Sequence, residues 1–221
     1  MRLVIILLTS WFSCLAYANF NISPLSQGIE STQKSASYTL ENMTTKKAAY
    51  EIEVFSRSVE RNGKEVRATT KELRVFPSKI ILEPKQKKRI KVIYLGKKNI
   101  TQEKAYRVVF KQSDRNVSES DQGALNAKFN FHTAFYVTPK GAEADVITVL
   151  SSSTNGKQLS LSNQGNKHII LQDWQLKLHR DNQETIYGHP LPDINLLANS
   201  EIVIPLSNQA NAYQTAEILT K

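Results

Sequence analysis

The chain carries 221 residues, 40% of them apolar, at a formal net charge of +9 with one cysteine. That length suits one large β domain or two domains of about 100 residues each, and a lone cysteine excludes a disulfide-stapled scaffold. The positive balance calls for an anionic surface or a carboxylate-bearing partner.

Residues 1–18 read as a signal peptide. Arg2 gives a basic start, Leu3 to Leu8 with Trp11, Phe12 and Leu15 a short apolar stretch, and Ala16-Tyr17-Ala18 a small-x-small cleavage site. The stretch is broken by Thr9, Ser10 and Ser13 and falls short of the roughly 20 residues of a spanning helix. Cleavage before Asn19 removes Arg2 and Cys14, leaving a thiol-free chain of net charge +8. Such an exported chain relies on its core for stability. Export also sets nucleic acid aside as a partner.

From there the apolar period is two, with β-branched and aromatic residues in short runs bounded by Gly, Pro, Asn and Lys. The pattern predicts strands over residues 20–24, 35–41, 49–58, 72–76, 79–82, 88–95, 105–111 and 125–137. Asn62-Gly63, between 49–58 and 64–69, signals a hairpin, and Pro77 and Pro84 mark edges or turns. Seven or so strands at this spacing suggest an immunoglobulin-like sandwich. Pro139-Lys140-Gly141 reads as an interdomain elbow. A second set follows at 146–150, 158–162, 169–178, 184–187, 201–205 and 215–219, with Asn155-Gly156 as a tight turn and 207–212 as a loop. The expectation is all-β: two immunoglobulin-like β-sandwich domains set at an angle, the first over 19–139 and a smaller one over 140–221.

Catalytic patterns are absent. There is no G-x-S-x-G, no glycine-rich phosphate loop and no carboxylate pair in an apolar setting, and His132, His168, His179 and His189 fit no metal-ligand spacing. Neither an enzyme nor a cofactor or metal site is expected.

Two features carry the functional reading. In ALNAKFNFHTAFYVTP, Leu125, Ala127, Phe129, Phe131, Thr133 and Phe135 share one face, opposite Asn126, Lys128, Asn130, His132 and Ala134. The polar segment SDRNVSESDQG precedes it, so this is either an ordinary core strand or a strand available for lending. The second feature is a set of cations on strands: Arg89 and Lys91 opposite Ile90, Val92 and Tyr94, and Arg107 and Lys111 opposite Tyr106, Val108 and Phe110. If these strands are neighbours, three or four cations gather where a carboxylate could be received, Arg by a two-bond fork and Lys as a point charge.

Taken in order, NFNISPLSQGI, YEIEVFSRSVERNGKE, VFPSKIILEPKQKKRIKVIYLG, YRVVFKQ, AFYVTPKGA and LSLSNQGNKHIIL resemble a periplasmic chaperone of the chaperone-usher pilus pathway, of the alternate or archaic branch. The resemblance implies a periplasmic protein that caps pilus subunits by donor-strand complementation, lending a strand to an incomplete sandwich, and delivers them to an outer-membrane usher. The donor would be Leu125, Ala127, Phe129 and Phe131; burying two Phe and one Leu is worth roughly 5 to 8 kcal/mol gross. In the best-known branch an arginine in the first strand and a lysine in the donor strand hold the subunit's C-terminal carboxylate. The matching positions here fall near Ser26 and near Thr133 or Ala134, none of them basic. Lys91, Arg107 and Arg89 are the basic positions that remain across the resemblance, and Lys91 with Arg107 are expected to take over the anchor. The exposed apolar strand also implies self-association of the unbound protein. Two other readings stay open at this point: a pilus structural subunit, and a two-domain β module binding surface polyanions.

Overall fold

The structure, a computed structural model, describes residues 20–113, 129–154 and 156–220. The expected signal peptide, Leu125 and Ala127 lie outside the described residues. Among those described, the chain is all-β apart from one 3-10 turn, Asn208–Ala212.

The first sandwich contains β1 (Phe20–Ser23), β2 (Ser26–Glu30), β3 (Ser35–Asn42), β4 (Ala48–Val59), β5 (Glu65–Thr69), β6 (Leu73–Phe76), β7 (Lys79–Leu82), β8 (Lys87–Tyr94), β9 (Lys104–Ser113) and β10 (Asn130–Thr138). One sheet has the order β1-β3-β8-β6 and the other β2-β10-β9-β4-β5, with β7 also on β4. The cis bonds Ser23-Pro24 and Phe76-Pro77 lie where the chain crosses from the first sheet to the second. Alternate residues of both sheets meet in one core of Phe20, Tyr38, Leu40, Tyr50, Ile90, Val92, Tyr106, Val108, Phe110 and Phe135, as period-two patterning requires.

The second sandwich contains β11 (Val146–Ser153), β12 (Gly156–Asn163), β13 (Ile169–Leu171), β14 (Gln175–Arg180), β15 (Gln183–Ile186), β16 (Ile194–Leu196), β17 (Ser200–Pro205) and β18 (Thr215–Leu219). Its sheets run β11-β12-β17, β13-β16 and β15-β14-β18, around Leu159, Leu161, Leu171, Leu176, Leu178 and Leu196.

Most strand expectations match to within a residue or two. Three points differ. β2 and β16 were not anticipated, because SQGIE carries one apolar residue and INL has three residues. The run 169–178 is two strands, since Asp173 adopts φ 49° and the chain changes sheet between β13 and β14.

The two sandwiches touch through Ala134, Tyr136 and Leu197, packed by Val59 and Ala105. Polar links join them as well: Val203 N–H donates to Arg61 O at 2.7 Å, Glu103 N–H to Asn166 O at 2.9 Å and Gln102 Nε2 to Ala198 O at 2.9 Å.

Candidate functional site

β10 sits between β9 and β2, but β2 is too short to cover it. β9 pairs with β10 from Asn130 to Val137, whereas β2 pairs only from Ala134 to Thr138. Among the described residues, no strand lies beside residues 130–133 on the β2 side. The direction of the exposed backbone follows from antiparallel alternation. Gln112 N–H donates to Phe129 O, so Phe129, Phe131 and Thr133 turn their peptide groups toward β9; Ala134 N–H donates the other way, to Leu25 O. Asn130 and His132 therefore present backbone N–H and C=O at an open edge.

The side chains beside that edge grade from exposed to buried. Phe129 is 43% exposed. Phe131 packs on the core and meets Phe20 edge-on at 4.6 Å between ring centres. Thr133 is fully buried and donates to Val108 O at 3.0 Å. Of the four donor-strand positions, Phe129 and Phe131 thus fall on one face at the mouth of the core, with Phe129 the more available.

The outer face of the same sheet carries a second feature. Arg57 on β4, Arg107 on β9 and Arg67 on β5 converge on Glu65. Arg107 donates from Nε and Nη2 to Glu65 Oε2 at 2.9 and 2.5 Å, and Arg67 Nε donates to Oε1 at 2.5 Å. Arg57 Nε lies 2.7 Å from Oε2 as an ion pair without hydrogen-bond alignment. Burial raises the Glu65 pKa, but hydrogen bonds from Arg107 and Arg67 and the charges of Arg107 and Arg57 outweigh it, leaving the carboxyl at about 2. His132 Nδ1 stands 2.7 Å from Arg67 Nη1. Its pKa is lowered by burial and by the charges of Arg67 and Arg107, so it faces Arg67 as a neutral acceptor. Three guanidiniums against one carboxylate leave two positive charges on this face.

Arg57 and Glu65 also line a cleft of about 490 Å3 between the β4–β5 hairpin and the second sandwich, walled on the far side by Pro192, Asp193, Asn195 and 202–205. Tyr136 joins the two sides, accepting from Arg57 Nη1 at 3.3 Å and from Asn195 Nδ2 at 2.6 Å.

The expected cation site needs correction. β8 and β9 are not neighbours: β8 belongs to the four-stranded sheet and β9 to the other. Their inward residues meet in the core, so Arg89 and Lys91 point out of one face of the sandwich and Arg107 out of the opposite face. Sheets stacked about 10 Å apart keep their outward side chains farther apart than that, so Lys91 and Arg107 cannot share one carboxylate. The positions near Ser26 and Ala134 do pair with each other, and Ala134 pairs with Arg107 on β9. Sequence reasoning missed Arg57, Arg67 and Glu65. Their signal was the register of one hairpin.

The family described as "Pili and flagellar-assembly chaperone, PapD N-terminal domain" matches residues 20–143, more than half of the chain. Among curated proteins no sequence match was found. Among solved structures, the chain is similar to the CsuC–CsuE chaperone-tip adhesion subunit pre-assembly complex of Acinetobacter baumannii archaic Csu pili, at TM-score 0.65 and 16% identity, covering 91% of this chain and 98% of that one. It is also similar to the Salmonella enterica SafA pilin–SafB chaperone complex, at TM-score 0.62 and 10% identity over 93% of this chain and 97% of that one. The Escherichia coli chaperone DraB gives TM-score 0.58 and 13% identity over 91% and 96%. With its two β-sandwiches and the matched N-terminal region, the chain belongs to the PapD-like family of pilus-assembly chaperones.

Proposed function

We propose that this protein works in the periplasm, where it caps pilus subunits by donor-strand complementation and hands them to an outer-membrane usher. The observation that carries the proposal is the half-covered β10: an open edge at Asn130 and His132, with Phe129 and Phe131 alternating beside it. A subunit sandwich lacking a strand offers an unpaired sheet edge and an open apolar groove. β10 and the residues before it supply what each lacks: backbone groups for the edge and apolar side chains, Leu125, Ala127, Phe129 and Phe131, for the groove.

The anchor for the subunit's C-terminal carboxylate is Arg107, supported by Arg57 and Arg67, rather than a pair of Arg107 with Lys91. These arginines stand on the sheet that contains β10, and Arg57 borders the interdomain cleft. A subunit strand running along β10 toward Ala134 would bring its end to the residue that pairs with Arg107.

Co-expression with a pilus subunit encoded beside this protein tests the proposal. A one-to-one complex is expected, and Phe129→Asp should abolish it while the free protein stays folded. A soluble subunit that never co-purifies would overturn the reading. If the protein instead binds heparin or similar polyanions with a steep salt dependence, the polyanion module takes its place.

A further inference from the structure

The arginine site already holds a carboxylate, and it is the protein's own. Glu65 takes the Nε and Nη2 edge of Arg107, the edge on which guanidinium receives a carboxylate through two parallel bonds. Arg67 and Arg57 close on the same group from either side. The strands differ in how firmly they are held. Arg57 and Arg107 stand on the interior strands β4 and β9, whereas Glu65 is the first residue of β5, a five-residue strand at the sheet edge with four exposed positions. Arg57 and Arg107 are therefore held in the sheet interior, and the occupant stands on an edge strand, which also carries Arg67.

We infer that Glu65 is an intramolecular stand-in for the subunit's terminal carboxylate: it keeps the arginine fork assembled in the free protein and yields it when a subunit is captured. The inference rests on the carboxylate-anchor reading above. A tethered carboxylate competes at a high effective concentration, so a small free carboxylate displaces it poorly. A subunit succeeds because its carboxylate arrives attached to a strand that also pairs with β10. Exchange of one carboxylate for another returns little net electrostatic energy, which leaves the apolar strand to decide the partner. Glu65 thereby sets specificity: it shields Arg57 and Arg107 from anions that bring no strand with them.

The test titrates the purified protein with N-acetylphenylalanine and, separately, with its amide, following the side-chain Nε–H resonances of Arg57, Arg67 and Arg107. In the wild type the free acid should bind weakly. In Glu65→Gln, which removes the charge at constant shape, it should bind about tenfold tighter or more, with the Arg107 resonance moving most and the amide moving none. Glu65→Thr, a strand former at an edge position, should show the same gain and covers a folding failure of the first variant. If the acid outcompetes the amide and needs Arg107 but Glu65→Gln binds it no tighter than wild type, the stand-in role is overturned and the anchor stands. If acid and amide behave alike and Arg107→Ala changes neither, anchor and stand-in fall together.

Discussion

Asn42 and Asn163 do the same work in the two sandwiches. Asn42 is fully buried; its Nδ2 donates to the carbonyls of Lys46, Leu82 and Glu83, and its Oδ1 accepts from Thr44 N–H at 3.0 Å. Asn163 donates to Lys167, Leu196 and Leu197 and accepts from Asp145 and Gly165 N–H. Each amide ties a turn to a neighbouring strand. Asn42→Ala and Asn163→Ala should each cost about 2 to 4 kcal/mol in denaturant unfolding; a loss under about 0.5 kcal/mol would mean water replaces the amide. Glu65 has a different signature. Its folded pKa, about 2, lies below the ordinary 4.5, so its stabilisation is complete above 4.5 and disappears as pH falls through 2. A stability profile from pH 5 to 2 should therefore be flatter in Glu65→Gln than in wild type. In the Glu65→Gln background, where no internal carboxylate competes, Arg107→Ala should weaken subunit capture by about 2 kcal/mol or more, and adding Lys91→Ala should change nothing further. A larger loss once Lys91→Ala is added would restore a role for the opposite face.

At the scale of elements, the open edge of β10 makes a prediction for individual amides. Asn130 and His132 N–H should exchange rapidly in the free protein and slow on subunit binding, while Phe131 and Thr133, bonded to β9, should be protected in both states. Uniform protection across 130–133 in the free protein would mean that another strand already covers this edge. The alternation of Phe129, Phe131, Thr133 and Phe135 made β10 legible in sequence, because period two survives whether a face meets its own core or a partner's. What sequence could not show was β2, whose length decides where the open edge begins, since one Ile in five residues gives no period. The arginine cluster was hidden for a related reason. Asn62-Gly63 suggests a two-residue loop, but Glu60 N–H bonds Lys64 O and Gly63 sits at φ 84°, so the loop has three residues. That one-residue difference pairs Arg57 with Arg67 and Val59 with Glu65; a two-residue loop would have turned Arg67 and Glu65 to the other face. The separation of Lys91 from Arg107 was likewise a matter of sheet order, which spacing along a chain does not encode.

For the whole molecule, the orientation of the two sandwiches rests on a buried charge. Glu103, with a side chain 1% exposed, precedes β9 in the first sandwich; it accepts from Thr138 Oγ1 at 2.7 Å and His168 N–H at 3.0 Å, and meets His168 Nδ1 at 2.6 Å. His168, from the second sandwich, stacks flat on Tyr136 at 3.7 Å, and Tyr136 in turn receives Asn195. Tyr136 borders the arginine site through Arg57, so the same residues that lock the domains also shape the cleft. Burial raises the Glu103 pKa, but the hydrogen bonds from His168 and Thr138 overcome it and the net direction is down. A depressed carboxyl pKa adds stability above the unfolded value and withdraws it as pH falls through the folded one, so the lock should fail in acid while each sandwich keeps its own apolar core. Glu103→Gln removes the charge and turns an amide N–H2 toward donors, at a cost of about 3 kcal/mol confined to the contact between domains. Calorimetry should then show two thermal transitions in place of one at neutral pH, and the wild type should approach the same pattern as pH falls below the ordinary carboxyl value of 4.5 and through the depressed pKa of Glu103. Two transitions with each Tm close to that of its own domain would place Glu103 in the coupling; a single transition shifted downward would place it in the stability of the first sandwich instead, and the cleft would then owe its shape to the apolar contact of Tyr136 with Leu197.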